Sequence, residues 1–245
     1  MSPLLRALGL QLAYGALQRV SPRAARGVSL GLVLAACATP LAALLRGEWA
    51  SGDVLLASLF ELYAVLFWTT VRVATAPGPL LRGGTVSTNG GPARAMTREE
   101  LVSMTWTVVG VLAAFTIVQT TLALRIADSA GLRGAPAALA LMAAGFFACH
   151  GLDVALNWFA LGGRHRETDL ASDPLKRIVI LHIALTLAAG WTWSTRAGLD
   201  PETARSSAWL LLVPGLILVF VRVALELYAV VRPPLSWGSA RGRAA

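Results

Sequence analysis

The sequence predicts an all-α integral membrane protein, a helical bundle of six transmembrane helices. Two observations carry this. Apolar runs at 28–45, 53–74, 101–124, 137–159, 177–193 and 208–231 each approach the roughly 20 residues that a helix needs to cross a hydrocarbon core. With 56% hydrophobic and 14% charged residues in a chain of 245, little remains for a separate soluble or catalytic domain. A charge in lipid costs on the order of 3 kcal/mol even on a lenient scale. The acids, histidines and arginines inside the runs therefore mark the bundle interior.

Residues 1–26 read as a cytoplasmic N-terminal segment, 27–231 as the transmembrane domain and 232–245 as a cytoplasmic tail. The stretch 4–20 is apolar but interrupted by Arg6, Gln11, Gln18 and Arg19, which suits an interfacial helix on the inner leaflet. A seventh span is the alternative. Arg19, Arg23 and Arg26 argue against a cleaved signal peptide, because small uncharged residues belong before a cleavage point.

Helix punctuation sets the boundaries that follow. Thr97 caps the third run with Glu100 three residues on, and Pro136 opens the fourth. Asp173 and Pro174 are expected to open the fifth as cap and first-turn proline. Pro40 and Pro214 fall inside runs and should kink them, leaving carbonyls for neighbours to satisfy. Pro233 and Pro234 end the last helix. The one long connection, 76–95, is rich in Gly, Pro, Ser and Thr and is expected to be a mobile loop.

Lys and Arg outside the runs number fourteen on one face and five on the other, which places both termini in the cytoplasm of a multi-pass cell-membrane protein. The net charge of +8 is scattered over short loops, so it reflects charge asymmetry across the bilayer and not a nucleic-acid face. The lipid bilayer is the expected partner. Trp49, Trp191, Trp193 and Trp209 fall near the outer boundary and Trp106 and Trp158 near the inner one, as an interfacial belt. Cys37 and Cys149 both lie in runs and read as small packing residues, with no disulfide framework.

The buried polar residues are the candidate site. His150, Asp153 and Asn157 are spaced i, i+3, i+7 and share one helix face. Counting about 1.5 Å per residue brings Asp153, Asn157, Arg177, His182, Arg222 and Glu226 to one depth in the cytoplasmic half. Glu61 lies nearer the middle of the second run, and Arg72 and Arg177, near the interface, are expected to snorkel to head groups. Such a cluster is either an interior clamp of acids and arginines or a pocket for a small ligand, an ion or protons.

Three functions stay open at this point. The first is a non-enzymatic membrane protein whose cluster clamps helices or binds a small ligand or ion. The second is a small transporter or channel subunit. The third is a membrane redox or metal enzyme using His150 and His182, whose similar depth on consecutive helices would suit a haem or a metal with Asp153 or Glu226. No His-Glu-x-x-His, Gly-x-Ser-x-Gly or span-embedded lysine occurs. The residues call for no cofactor.

The stretch Pro174-Leu175-Lys176-Arg177-Ile178-Val179-Ile180-Leu181-His182 resembles a motif of domain of unknown function family 6498, a group of prokaryotic multi-span membrane proteins. Glu61 resembles that family's glutamate, and Arg222 with Glu226 its basic and acidic pair in the final helix. The likeness covers roughly 54–231. Ser58, Leu59 and Phe60 stand where a Tyr-Trp pair is expected before the glutamate, and the final pair is Arg and Glu in place of Lys and Asp. The resemblance implies a multi-span fold and supplies no reaction.

Overall fold

The computed structural model describes residues 21–76, 85–86, 94–129, 131–160, 169–196 and 208–231. Among them are six helices: α1 (Pro22–Leu45), α2 (Ser51–Thr75), α3 (Arg98–Ser129), α4 (Pro136–Asp153), α5 (Asp169–Arg196) and α6 (Ala208–Val231). A π-helical turn, Val154–Ala160, continues α4. The expected interfacial helix at 4–20 lies outside the described residues.

Local chemistry explains most of the boundaries. Ser21 caps α1 through its hydroxyl, which accepts from Ala24 N at 3.2 Å, and Pro22 occupies the first turn. At α3 the expected capping box is present: Thr97 N donates to Glu100 Oε2 at 2.7 Å and Glu100 N to Thr97 Oγ1 at 3.3 Å. Pro136 opens α4. The fifth helix differs from expectation. It starts at Asp169, so Asp173 and Pro174 lie inside its first turns and do not open it. Within 76–95, Thr85–Val86 (β1) pairs antiparallel with Arg94–Ala95 (β2). Two short pieces of that connection are therefore paired strands.

Four stretches are long and apolar enough to cross a membrane: Ser51–Thr75, Arg98–Ala127, Pro136–Ala160 and Ile178–Thr195. In α1 and α6 the apolar stretches are shorter, Leu34–Leu45 and Leu212–Val221. Large apolar side chains point outward along the bundle, including Ile117 and Val118 on α3, Leu141 on α4, Ile183 and Leu187 on α5 and Phe220 on α6. Continuous apolar exposure of this kind belongs against lipid. Hydroxyls are returned to their own helix, as with Thr69 to Val65 O at 2.6 Å and Thr105 to Leu101 O at 2.8 Å. Each such bond keeps a hydroxyl from being left without a partner inside the bundle.

α2 is the central helix. It touches every other helix, and 72% of its apolar window is buried. Its side chains Val54, Leu55 and Leu62 form the core with Leu44, Phe146, Ile178, Leu185 and Leu218. Partner numbers show direction. Along α2 and α4 they rise together (Glu61 with His150, Thr75 with Trp158), so these helices are parallel. Against α3 they run oppositely (Gly52 with Ala127, Tyr63 with Thr120), so that pair is antiparallel. Strictly alternating crossings produce this pattern.

Candidate functional site

The α2–α4 seam carries the ion pairs. Near the middle of α2, Glu61 is 1% exposed and its Oε1 lies 3.4 Å from His150 Nε2. Three turns on, Arg72 donates from Nη2 to Asp153 Oδ2 at 2.6 Å. Asn157 Nδ2 donates to the other oxygen, Asp153 Oδ1, at 2.7 Å. Both carboxylate oxygens of Asp153 are thus engaged, and the arginine side keeps its charge at any ordinary pH. Asn157 sits on the π-helical turn directly after Asp153, the kind of helix irregularity frequent at functional positions.

Between the two pairs, Trp68 fixes the register. Its indole Nε1 donates to Phe147 O at 2.9 Å across the seam. The ring fits because position 151 is glycine: a Cβ there would stand 2.6 Å from Trp68 Cζ2. Below them Trp158 Nε1 donates to Thr75 Oγ1 at 2.9 Å, and Val71, Val154, Trp158 and Phe159 pack around that contact. One face of α4 therefore meets one face of α2 from Glu61 to Thr75.

His182 belongs to a different seam, between α3 and α5. Its Nδ1 donates to Ile178 O at 2.7 Å, since a carbonyl can only accept. Its Nε2 faces Thr116 Oγ1 at 3.1 Å. Thr116 Oγ1 is also 2.7 Å from Leu112 O, yet it has one hydroxyl proton for two acceptors. When the imidazole is neutral, the Nε2 lone pair takes that proton, and Leu112 O keeps only its helical partner. Gln119 Nε2 donates to His182 O at 3.1 Å and to Thr186 Oγ1 at 2.9 Å. On the other side Thr120 gives its proton to Thr116 O at 2.8 Å, so Tyr63 of α2 must donate to Thr120 Oγ1. Phe115 covers His182, ring centroids 5.1 Å apart.

The ends of several helices meet in a knot at Trp49–Asp53. Ser51 Oγ accepts from Gly215 N at 3.1 Å, one residue after Pro214, so a neighbouring helix satisfies a backbone N–H beside the proline. Asp53 Oδ2 accepts from Ala50 N at 2.8 Å and Arg133 N at 2.9 Å. Gly52 packs on the end of α3, where a Cβ would stand 2.2 Å from Gly131 O and 2.3 Å from Ala127 O. Gly131 itself is left-handed, φ 83°, and so turns its carbonyl toward Gly52.

The expected single cluster is thus divided. The structure joins Glu61 to His150, and Asp153 to Asn157, and it sets His182 with Thr116 and Gln119. The side chains of Arg177, Arg222 and Glu226 lie outside the described residues, as does Trp209. Arg72 does not snorkel to head groups; it turns inward to Asp153, because a desolvated carboxylate offers it a stronger partner than the interface. Trp49 and Trp158 are also core residues, 6% and 3% exposed, each drawn inward by polar or packing neighbours. Trp106, Trp191 and Trp193 are exposed as an interfacial belt requires.

Both ring nitrogens of His182 are engaged and His150 Nε2 faces Glu61, so a metal would have to displace these contacts. Among the described residues no group of three or more His, Cys, Asp or Glu converges to hold a metal ion. The sequence reading missed Trp68, Gly151, Thr116, Gln119 and the knot at Trp49–Asp53. A tryptophan amid apolar residues and a glycine in a helix were the visible signals, but neither names its partner.

No curated protein and no solved structure matches the chain. The profile of one protein family spans residues 19–241, nearly the whole of the chain and all of the seam just described. The chain belongs to that family, the family of unknown function DUF6498.

Proposed function

We propose that this is a six-span membrane protein with both termini in the cytoplasm, and that Glu61 and His150 form a proton-binding site at the centre of the bundle. The reading places it with small transporters or channel subunits and not with enzymes. One observation carries it: a carboxylate that is 1% exposed stands 3.4 Å from an imidazole. Ionisable pairs at membrane depth are costly and mark ion or proton paths. A proton is also the one ligand that a packed seam accepts without opening a cavity. Histidine supplies a group that changes charge in the physiological range.

The Arg72–Asp153–Asn157 group has a different part in this reading. Its arginine does not titrate in this range, so it acts as a fixed clamp that holds α2 and α4 in register while the Glu61–His150 pair gains and loses its proton. Thr116 and His182 brace the opposite seam. Shorter apolar stretches in α1 and α6 are compatible with six spans, because flanking residues of both helices extend the length.

Proton uptake tests this. The protein in lipid nanodiscs is taken through a pH jump across the histidine range, and protons bound per chain are counted with a dye. His150→Gln is expected to bind one proton fewer than the parent, and Glu61→Gln to shift the pH at which that proton binds. Identical uptake curves for the parent and both variants would falsify the assignment.

A further inference from the structure

The knot at Trp49–Asp53 holds a second polar site that the seam does not use. Asp53 is fully buried, and its Oδ2 takes the two backbone N–H groups of Ala50 and Arg133. Its other oxygen, Oδ1, is buried and has no hydrogen-bond partner among the described residues. An orphaned carboxylate oxygen costs about 1–3 kcal/mol or more, so native structures satisfy it with protein or with ordered water.

Gly134 packs against the same oxygen. A Cβ built on it would stand 3.0 Å from Trp49 Nε1 and 3.1 Å from Asp53 Oδ1. Only glycine lets these two groups, an indole donor and a carboxylate acceptor, come this close to residue 134. We propose that this corner, bounded by Trp49, Asp53 and Gly134, binds one buried water molecule that accepts from the Trp49 indole and donates to Asp53 Oδ1.

The chemistry selects the ligand. An anion would meet the carboxylate. A cation would meet the positive end of the indole N–H dipole, beside a carboxylate whose charge is already offset by two backbone donors and the α2 N-terminus. A small neutral group that both donates and accepts fits both walls. Trp49 is 6% exposed and Asp53 0%, so the ligand must be of water size. Such a water ties the α1–α2 connection to the α3–α4 connection, and the site is independent of the Glu61–His150 proposal.

The test uses the full chain in nanodiscs with indole-labelled tryptophan. The Trp49 N–H resonance is identified by its loss in Trp49→Phe. A cross-peak to long-lived water is expected on that resonance, and Gly134→Ala, whose methyl occupies the corner, is expected to abolish it and move the resonance. No cross-peak in the parent, or one that persists unchanged in folded Gly134→Ala, overturns the proposal. Should Gly134→Ala fail to fold, a high-resolution density map of the parent decides. An oxygen peak within hydrogen-bond distance of both Trp49 Nε1 and Asp53 Oδ1 supports the site, and a packed corner without one refutes it.

Discussion

Arg72 and Asp153 meet across the α2–α4 seam at 2.6 Å, with Asn157 closing the second carboxylate oxygen at 2.7 Å. Two parallel helices that are not neighbours in sequence are thereby tied at one register. The pair is not completely dry: side-chain exposure is 14% for Arg72 and 34% for Asp153.

Breaking this pair from one side should therefore cost about 3 kcal/mol, the lower end of what removal of one partner from a buried pair produces. Asp153→Asn and Arg72→Gln are each expected to unfold at lower denaturant. The double replacement Arg72→Met with Asp153→Leu should recover most of the loss, because neither charge is then left alone. Unfolding in mixed micelles measures all of these.

Trp68 and Gly151 make a coupled pair. Trp68→Phe keeps a ring but loses the bond to Phe147 O and should cost about 1 kcal/mol. Gly151→Ala forces a methyl to 2.6 Å from Trp68 Cζ2 and should cost about 1–3 kcal/mol by overpacking. Combined with Trp68→Leu, the alanine should cost far less, and a double-mutant cycle reads that coupling.

Gly52→Ala is expected to be the most damaging conservative change in the molecule. Its methyl would meet two backbone carbonyl oxygens, at 2.2 and 2.3 Å, and a backbone at a helix end has no rotamer with which to yield. The expected loss exceeds the usual 1–3 kcal/mol of an overpacked core. Folded yield after detergent extraction should fall sharply, whereas Gly145→Ala, where a Cβ meets nothing within 4 Å, should extract like the parent.

Thr116→Val preserves shape and removes the hydroxyl that faces His182 Nε2. Stability should fall by about 1–3 kcal/mol, the cost of a buried acceptor without a donor. The nitrogen resonance of His182 Nε2 should shift while that of Nδ1, held by Ile178 O, stays in place. Thr116→Ser should restore both readouts.

How far the sequence foretells this structure can be judged residue by residue. The helical class, the caps at Thr97 and Pro136 and the shared face of His150, Asp153 and Asn157 were all legible, because each depends on spacing within one helix. The partners across the seam were not. Depth counting treated all polar residues at one level as one cluster, but the angular position of each helix around the bundle decides who meets whom. That is why His182 pairs with α3 and why Arg72, assigned to the interface by its position alone, turns to Asp153. Gly52, Gly134 and Gly151 were illegible for a related reason. A glycine's role is set by what its neighbour presses against it, and no local pattern records that.

The central claim is that His150 and Glu61, 3.4 Å apart, share one proton. Nitrogen-labelled histidine in the nanodisc-bound chain tests it directly, with His150 identified by its loss in His150→Gln. The expected result is a His150 ring-nitrogen resonance that moves in Glu61→Gln, with no movement in Asp153→Asn of comparable stability loss. A His150 resonance indifferent to Glu61→Gln while the protein remains folded would contradict it.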